Sequence, residues 1–350
     1  MENTELIKKA IHKVVSGEDL AEAEACSVME MIMTGEASPA QIAALLIAMR
    51  LKGETIEEIT GFARVMRKMS TPVRTSHEIV VDTCGTGGDG VNTFNISTAA
   101  ALVVAGCGAP VAKHGNRSVS SSCGSADVLE ALGININLTP AEKEECLERI
   151  GIAFLFAPAL HGSMKYAAGP RREIGVRTVF NVLGPITNPA GASAQVLGVY
   201  SADLVPKIAG VLARLGTKRS FVLHGHGGTD EITTTGPALI CDVSGSSITE
   251  FSLDPLEYGM KRATLEDLRG GSPDENATII KNIFKGEKGP RRDAVILNAA
   301  LALVAAGLAG DFSHGLELAA NCIDSGAAQA KLDAMVEYTS SRLVREAAIS

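Results

Sequence analysis

The segment Glu78–Ala99, EIVVDTCGTGGDGVNTFNISTA, decides how this chain reads. A short β-branched run, Ile79-Val80-Val81, leads into Cys84–Gly90, where four of seven residues are glycine. Such a loop cannot pack by side chains, and the stretch after it, ISTAAALVVAG, has the length and composition of a helix. Strand, polar loop and helix in succession are the unit of a parallel α/β sheet. Gly85, Gly87 and Gly88 let backbone N–H groups turn toward an anion with no side chain in the way. Asn95, Ser97 and Thr98 then open a helix, whose free N–H groups favour negative charge. The loop lacks the Gly-Lys-Ser/Thr of a Walker A motif and is read as distinct from a dinucleotide fingerprint. A tight strand-to-helix turn would account for the glycines alone. Asp89 goes further, because an acid beside an anion nest suits ribose hydroxyls or a metal.

Before this segment, residues 1–72 read as helix after helix. Leu6, Ile7, Ala10, Ile11, Val14 and Val15 recur at helical spacing. Ser38-Pro39 with Gln41, and Thr55 with Glu58, are capping boxes; Gly53 closes the first helix and Thr71-Pro72 stops the second. Beyond residue 72 the grammar alternates. APVAKH, ININL, AQVLGVYS and RSFVLHG are strand-like. ADVLEALG, a segment capped by Thr139 and Glu142, and ADLVPKIAGVLARLG are helical. The fold class expected is α/β: a small helical domain, 1–72, and a larger α/β domain, 73–350, with a mostly parallel central sheet. An insert at about 160–190 has helical spacing between strands and is expected to pack back on the helical domain.

Composition sets the limits. The 350 residues carry a formal charge of −8, which opposes a general nucleic-acid or membrane-surface binder. Aromatics make up only 4% and Trp is absent, so aliphatic side chains must fill the core. The seven cysteines are scattered without C-x-x-C spacing, which points to reduced thiols and a cytoplasmic protein. No apolar run is long enough to span a bilayer.

In parallel α/β sheets ligands bind outside the carboxyl ends of the strands. Three polar loops follow strand-like runs, at 83–98, 113–125 and 224–235, and should converge on one edge. The second, KHGNRSVSSSCGS, sets Lys113 and Arg117 among serines, a pattern suited to a phosphorylated ligand or to a solvated loop. The third, HGHGGTDEITTTG, has His224, His226, Asp230 and Glu231. These admit zinc, but the adjacent acids suit a hard cation such as magnesium better, and a plain acidic turn stays open. Along the chain neither acid has a helix start beside it. Arg171 and Arg172 would sit on a solvated helix face, unless one reaches a carboxylate in a cleft.

Taken together, DTCGTGGDGVNTFNIST, KHGNRSVSSSCGSADVLEALG, GVRTVFNVLGPITNPA and HGHGGTDEIT closely resemble the anthranilate phosphoribosyltransferase family, over essentially the whole chain. The resemblance implies a nucleoside phosphorylase/phosphoribosyltransferase-like fold. It also implies transfer of the phosphoribosyl group of phosphoribosyl pyrophosphate to the amine of anthranilate, in tryptophan biosynthesis. By position, it assigns phosphoribosyl pyrophosphate to Gly85, Gly88, Asp89, Thr93, Asn95, Ile96, Ser97, Thr98, Lys113, His114, Gly115, Asn116, Arg117, Ser118, Val119, Ser120, Ser121 and Ser125. Anthranilate would meet Gly85, Asn116 and Arg171. Mg²⁺, two ions per active site, would be served by Ser97, Asp230 and Glu231, and no dedicated acid or base is implied. A homodimer through the helical domain is also implied. This chain has Ser122-Cys123 where the family often has Lys before a Gly-Ser pair, and Thr229 where an apolar residue is common. A pyrimidine nucleoside phosphorylase of the same fold would need KHSTGG-like loops, which are absent. A non-catalytic nucleic-acid binder fits neither the charge nor the Asp-Glu pair.

Overall fold

The computed structural model of the protein describes residues 2–88, 90–118 and 122–349, without the side chains of 2–4 and 343–349. The chain opens with α1 (Glu2–Val15), α2 (Glu22–Thr34), α3 (Pro39–Lys52) and α4 (Ile56–Met69). Ser38 and Thr55 form the capping boxes read from sequence, and α3 ends at Gly53 with φ +87°. Glu58 does more than cap. Fully buried, it accepts from Leu20 N at 2.8 Å and from Lys52 Nζ at 3.0 Å, and so joins α2's approach to α4.

The α/β part follows as β1 (Val81–Gly85), α5 (Ile96–Gly106), β2 (Val111–Gly115), α6 (Ser125–Ala131), α7 (Pro140–Ile150) and β3 (Ile152–Phe156). Three short helices come next: α8 (Ala157–Leu160), α9 (Lys165–Ile174) and α10 (Phe180–Leu183). Then come β4 (Ala194–Gly198), α11 (Leu204–Arg214), β5 (Arg219–His224), β6 (Ala238–Ser244) and β7 (Ser247–Leu253). Helices α12 (Pro273–Phe284), α13 (Pro290–Ala305), α14 (Phe312–Asp324) and α15 (Ala327–Ile349) complete the chain. The sheet order is β3-β2-β1-β4-β5-β6-β7; the first five strands are parallel and the β5-β6-β7 edge is antiparallel. The order reverses between β1 and β4, so the loops leaving those strands diverge and open a crevice.

Two features depart from the sequence reading. Ile134–Leu138 alternates buried and less buried residues like a strand, but pairs with none; Asn135 N donates to Thr339 Oγ1 of α15 at 3.2 Å instead. Strands β3, β6 and β7 carry no clear signal. β3 is a five-residue apolar run, IAFLF, which periodicity cannot separate from buried helix. β7 is exposed along its length until Leu253, so no apolar alternation marks it.

One face of the sheet is covered by α5, α13, α14 and α15, around Val103, Leu297, Leu301 and Ile323. On the other side, the core of the helical bundle is continuous with α11 and with Leu197 and Val222 of the sheet. Ala167, Phe180, Leu183 and Ile186 of the 157–186 segment share that cluster with Leu45, Met49 and Phe62, and α9 packs on α2 and α3. None of the seven cysteines is in a disulfide among the described residues. Among the described residues, no helix is long and apolar enough to cross a membrane.

Candidate active site

The three polar loops meet at the crevice between β1 and β4. Gly87 N donates to Asp230 Oδ2 at 2.8 Å, Thr93 Oγ1 to Glu231 Oε2 at 3.1 Å, and Ser97 N to Glu231 Oε1 at 3.4 Å. Both acids are 8% exposed. The sequence leaves them without a helix start, but the fold places Glu231 at the N-terminus of α5, where an anion is favoured, and Asp230 on the glycine turn before it. Asn95, at that terminus, makes no side-chain cap. Its amide is held elsewhere, donating to Cys123 O at 3.2 Å and accepting from Asn276 Nδ2 at 2.9 Å. Of the first N–H groups of α5, Ile96 N turns back to Phe94 O and Thr98 N to Asn95 O, which leaves Ser97 N to meet Glu231.

Glycine is obligatory at two of these strand ends. A Cβ on Gly85 would stand 2.2 Å from Asp230 Oδ2, and one on Gly198 would stand 1.5 Å from Asp230 O. Gly87 and Gly88 adopt φ +64° and +69°, and in this turn Gly87 N meets Asp230. Gly85, Gly87 and Gly90 do stand at the G-x-G-x-x-G spacing of a dinucleotide site. Here, however, the nest receives carboxylates from the loop after β5. Asp89, Val119, Ser120 and Ser121 lie outside the described residues.

Beneath the loops is a buried polar layer. Lys113, 3% exposed, donates from Nζ to Thr83 O at 2.6 Å. Burial lowers its pKa, while Asp82, Cys84, Glu231 and Asp230 act to raise it. Asp82 accepts from His114 N at 3.1 Å and from Asn188 Nδ2 at 2.8 Å; burial still lifts its carboxyl to about 6. Thr83 Oγ1 donates to Ser97 O at 2.9 Å and ties β1 to α5. Thr98 and Ile96 are buried in the same turn. Gly115 lets Ser125 approach, and Ser125 Oγ bridges Asn116 N and O at 3.2 Å each. Arg117 turns its guanidinium to Asp127 and Glu130, and Ser118 N donates to Asp127 Oδ2 at 3.1 Å.

Across the crevice stands the 157–186 segment. Arg171 lies with Cζ 4.9 Å from the Phe180 ring centre, burial lowers its pKa, and among the described residues no carboxylate pairs with it. His114 Nδ1 faces Gly184 O at 3.1 Å, and its ring lies 5.2 Å from that of His161. The zinc reading loses its ligands: His224 Nδ1 is engaged by Val199 O at 2.7 Å, and among the described residues no three His, Cys, Asp or Glu gather. Two acids suit a cation that completes its shell with ligand phosphate oxygens and water.

Three supporting asparagines carry no motif. Asn298 accepts from Ile232 N at 3.1 Å and donates to Ile232 O at 2.8 Å, which fixes the β5–β6 loop just beyond Glu231. Asn276 holds Asn95 and Gly271 N, and Asn188 holds Asp82. The only signal was Asn298 itself, a polar residue in the apolar helix AVILNAALALVA.

Residues 8–70 match the helical bundle domain of the glycosyl transferase family, and residues 77–329 match its a/b domain. The class is therefore a two-part glycosyl transferase. The chain is 63% identical to the anthranilate phosphoribosyltransferase of Pelotomaculum thermopropionicum, over 98% of this chain and 100% of that one. The crystal structure of the Thermus thermophilus enzyme of that name matches with a TM-score of 0.90 at 45% identity, covering 95% of this chain and 99% of the other. The Saccharomyces cerevisiae enzyme in complex with PRPP and Mg matches with a TM-score of 0.87, and in complex with 4-fluoroanthranilate with 0.86. Both yeast structures are 26% identical and cover 96% of this chain and 98% of theirs. The chain belongs to the anthranilate phosphoribosyltransferase family.

The buried histidines give a pH signature. Burial, with His161 nearby, pushes His114 down to about 3, and burial takes His161 to about 4. Both bind protons more tightly when unfolded, so their contribution to stability is complete above pH 6.5 and is lost as pH falls toward 4. Each costs about 1.4 kcal/mol per pH unit in that window. Asp82 has the opposite sign: its raised pKa favours the folded state as pH falls from about 6 to 3.8, which offsets one histidine. Denaturant midpoints should therefore drop between pH 7 and 4.5, and His161→Gln should flatten the drop. Equal slopes in variant and parent would refute this assignment.

Proposed function

We propose that the protein transfers the phosphoribosyl group of phosphoribosyl pyrophosphate to the amino group of anthranilate. The products are N-(5-phosphoribosyl)anthranilate and pyrophosphate, formed in the cytoplasm as a step of tryptophan biosynthesis. The observation that carries the reading is the Asp230–Glu231 pair, held nearly buried against the backbone N–H groups of the β1–α5 turn. The acids already occupy the anion nest, so a polyanionic ligand can join them only with a cation between. Mg²⁺ bound there, with two ions per site as the fuller reading, would neutralise the charge that develops on departing pyrophosphate.

The chain's own groups do the rest by position. The loop at 85–98, with Asp89, Thr93, Asn95, Ser97 and Thr98, surrounds the diphosphate and ribose. Lys113 donates from below the nest, and Asn116 with Ser125 bounds the other side. Arg171, a half-desolvated cation with no acidic partner among the described residues, faces the acceptor's carboxylate, with Gly85 and Asn116 beside the ring. An aromatic amine is unprotonated at neutral pH, so no strong base is required, and orientation supplies much of the rate. His114 and His161, kept neutral, do not compete with Arg171 for the carboxylate.

Loss of anthranilate fluorescence on adding phosphoribosyl pyrophosphate and Mg²⁺ tests the reading directly. Arg171→Ala should weaken use of anthranilate by about 2–5 kcal/mol, as for a desolvated charge pair, with little change for phosphoribosyl pyrophosphate. Equal losses for both substrates would assign Arg171 to the fold instead. Asp230→Asn with Glu231→Gln keeps an acceptor oxygen at each site, so the loops should stay folded. Turnover should fall by orders of magnitude and half activity should need more Mg²⁺; wild-type turnover with unaltered Mg²⁺ dependence would remove the metal role.

Leu51 and Val15, 82% and 69% exposed on the helical bundle, support a homodimer through that bundle. Light scattering at micromolar concentration should give about twice the 36.3 kDa chain mass, and the monomer mass would overturn it.

A further inference from the structure

Arg177 lies in the turn between α9 and α10, outside the groups that face the ligands. Its Nη2 donates to Gly88 O, and its Cζ lies 4.3 Å from the Tyr200 ring centre. Tyr200 belongs to the same clamp: its N donates to Thr86 Oγ1 at 3.1 Å, and Thr86 N donates to Gly198 O at 2.9 Å. The glycine turn is thus held at three successive residues: Thr86 by the end of β4, Gly87 by Asp230, and Gly88 by Arg177. Only the last hold comes from the segment that also carries Arg171.

We infer that Arg177 is a positioning residue for the phosphoribosyl transfer, holding the glycine turn in its anion-accepting form. The inference rests on the function proposed above. Glycines at φ +64° and +69° have wide conformational freedom, and every escape from that form rotates an N–H away from the nest. A cation on the Gly88 carbonyl opposes that escape with a charge-assisted hydrogen bond. A guanidinium serves because it stacks on Tyr200 with its face and donates with its edge; an ammonium does only one at a time. Because Arg177 and Arg171 sit six residues apart on one segment, the same contact ties the diphosphate loop to the acceptor side of the crevice. Arg177 itself is exposed, so its removal leaves the core untouched.

The test compares Arg177→Ala, Arg177→Lys and Tyr200→Phe in the full chain. Arg177→Ala should raise KM for phosphoribosyl pyrophosphate about tenfold, the weight of one hydrogen bond to a charged group, with kcat little changed. Amide exchange in peptides spanning 84–91 should speed up in the same variant without ligand, while the thermal midpoint stays in place. Arg177→Lys should fall between, and Tyr200→Phe, which keeps the ring face, should match the parent. Unchanged KM and exchange in Arg177→Ala would overturn the inference. So would a fall of kcat and thermal midpoint with both KM values raised alike, which would mark a merely structural residue. A parent protein that fails to consume anthranilate would instead overturn the functional reading, and the exchange measurement would still decide whether Arg177 holds the turn.

Discussion

The contact on which the site depends is the reach of Asp230 and Glu231 across the end of the sheet to the backbone N–H groups of the β1–α5 turn. It spans the gap between β1 and β4, where the strand order reverses and the fold leaves a crevice. Gly85 and Gly198 are the strand ends under that reach, and neither has room for a methyl group. Acidic side chains thus stand where a helix N-terminus already favours an anion. The arrangement accepts a second anion only together with a cation, and that requirement fits a reaction whose leaving group is a diphosphate.

Under the crevice, the buried charged groups Asp82 and Lys113 each have hydrogen-bond partners. Asp82 holds the backbone of β2 through His114 N and the 184–190 turn through Asn188, while Lys113 returns to β1 through Thr83 O. Breaking such a network exposes the desolvation cost of whatever is left unpaired, so its members move together or not at all. Its effect is to fix the ends of β1 and β2 relative to each other. A reaction that relies on orientation rather than on a dedicated base needs that rigidity.

The acceptor side is built differently. Ala167 and Phe180, on either side of Arg171, belong to the core shared with the helical bundle, whereas α5 packs in the other core. Arg177 on Gly88 O links them at the surface.

The sequence by itself determined the class of fold, the helical start, the glycine-rich turn and the identity of the two acids. Those signals are local: capping boxes at Ser38, Thr55 and Thr139, the step from Val81 into glycine, and adjacent Asp230-Glu231. It also carried the family, through long motifs in unbroken order. It did not carry β7, whose residues face solvent, nor the fate of Ile134–Leu138, whose alternation looks like a strand but lies against α15. Nor did it reveal that Glu231 faces the N-terminus of α5, that Asn276 and Asn298 brace the site, or that Arg177 reaches Gly88. Those facts join residues far apart in the chain, and only the packing of strands in the order 3-2-1-4-5 brings them within hydrogen-bond distance. Periodicity and capping report on neighbours a few residues away, whereas a binding site is assembled from strand ends, and tertiary structure alone decides which ends meet.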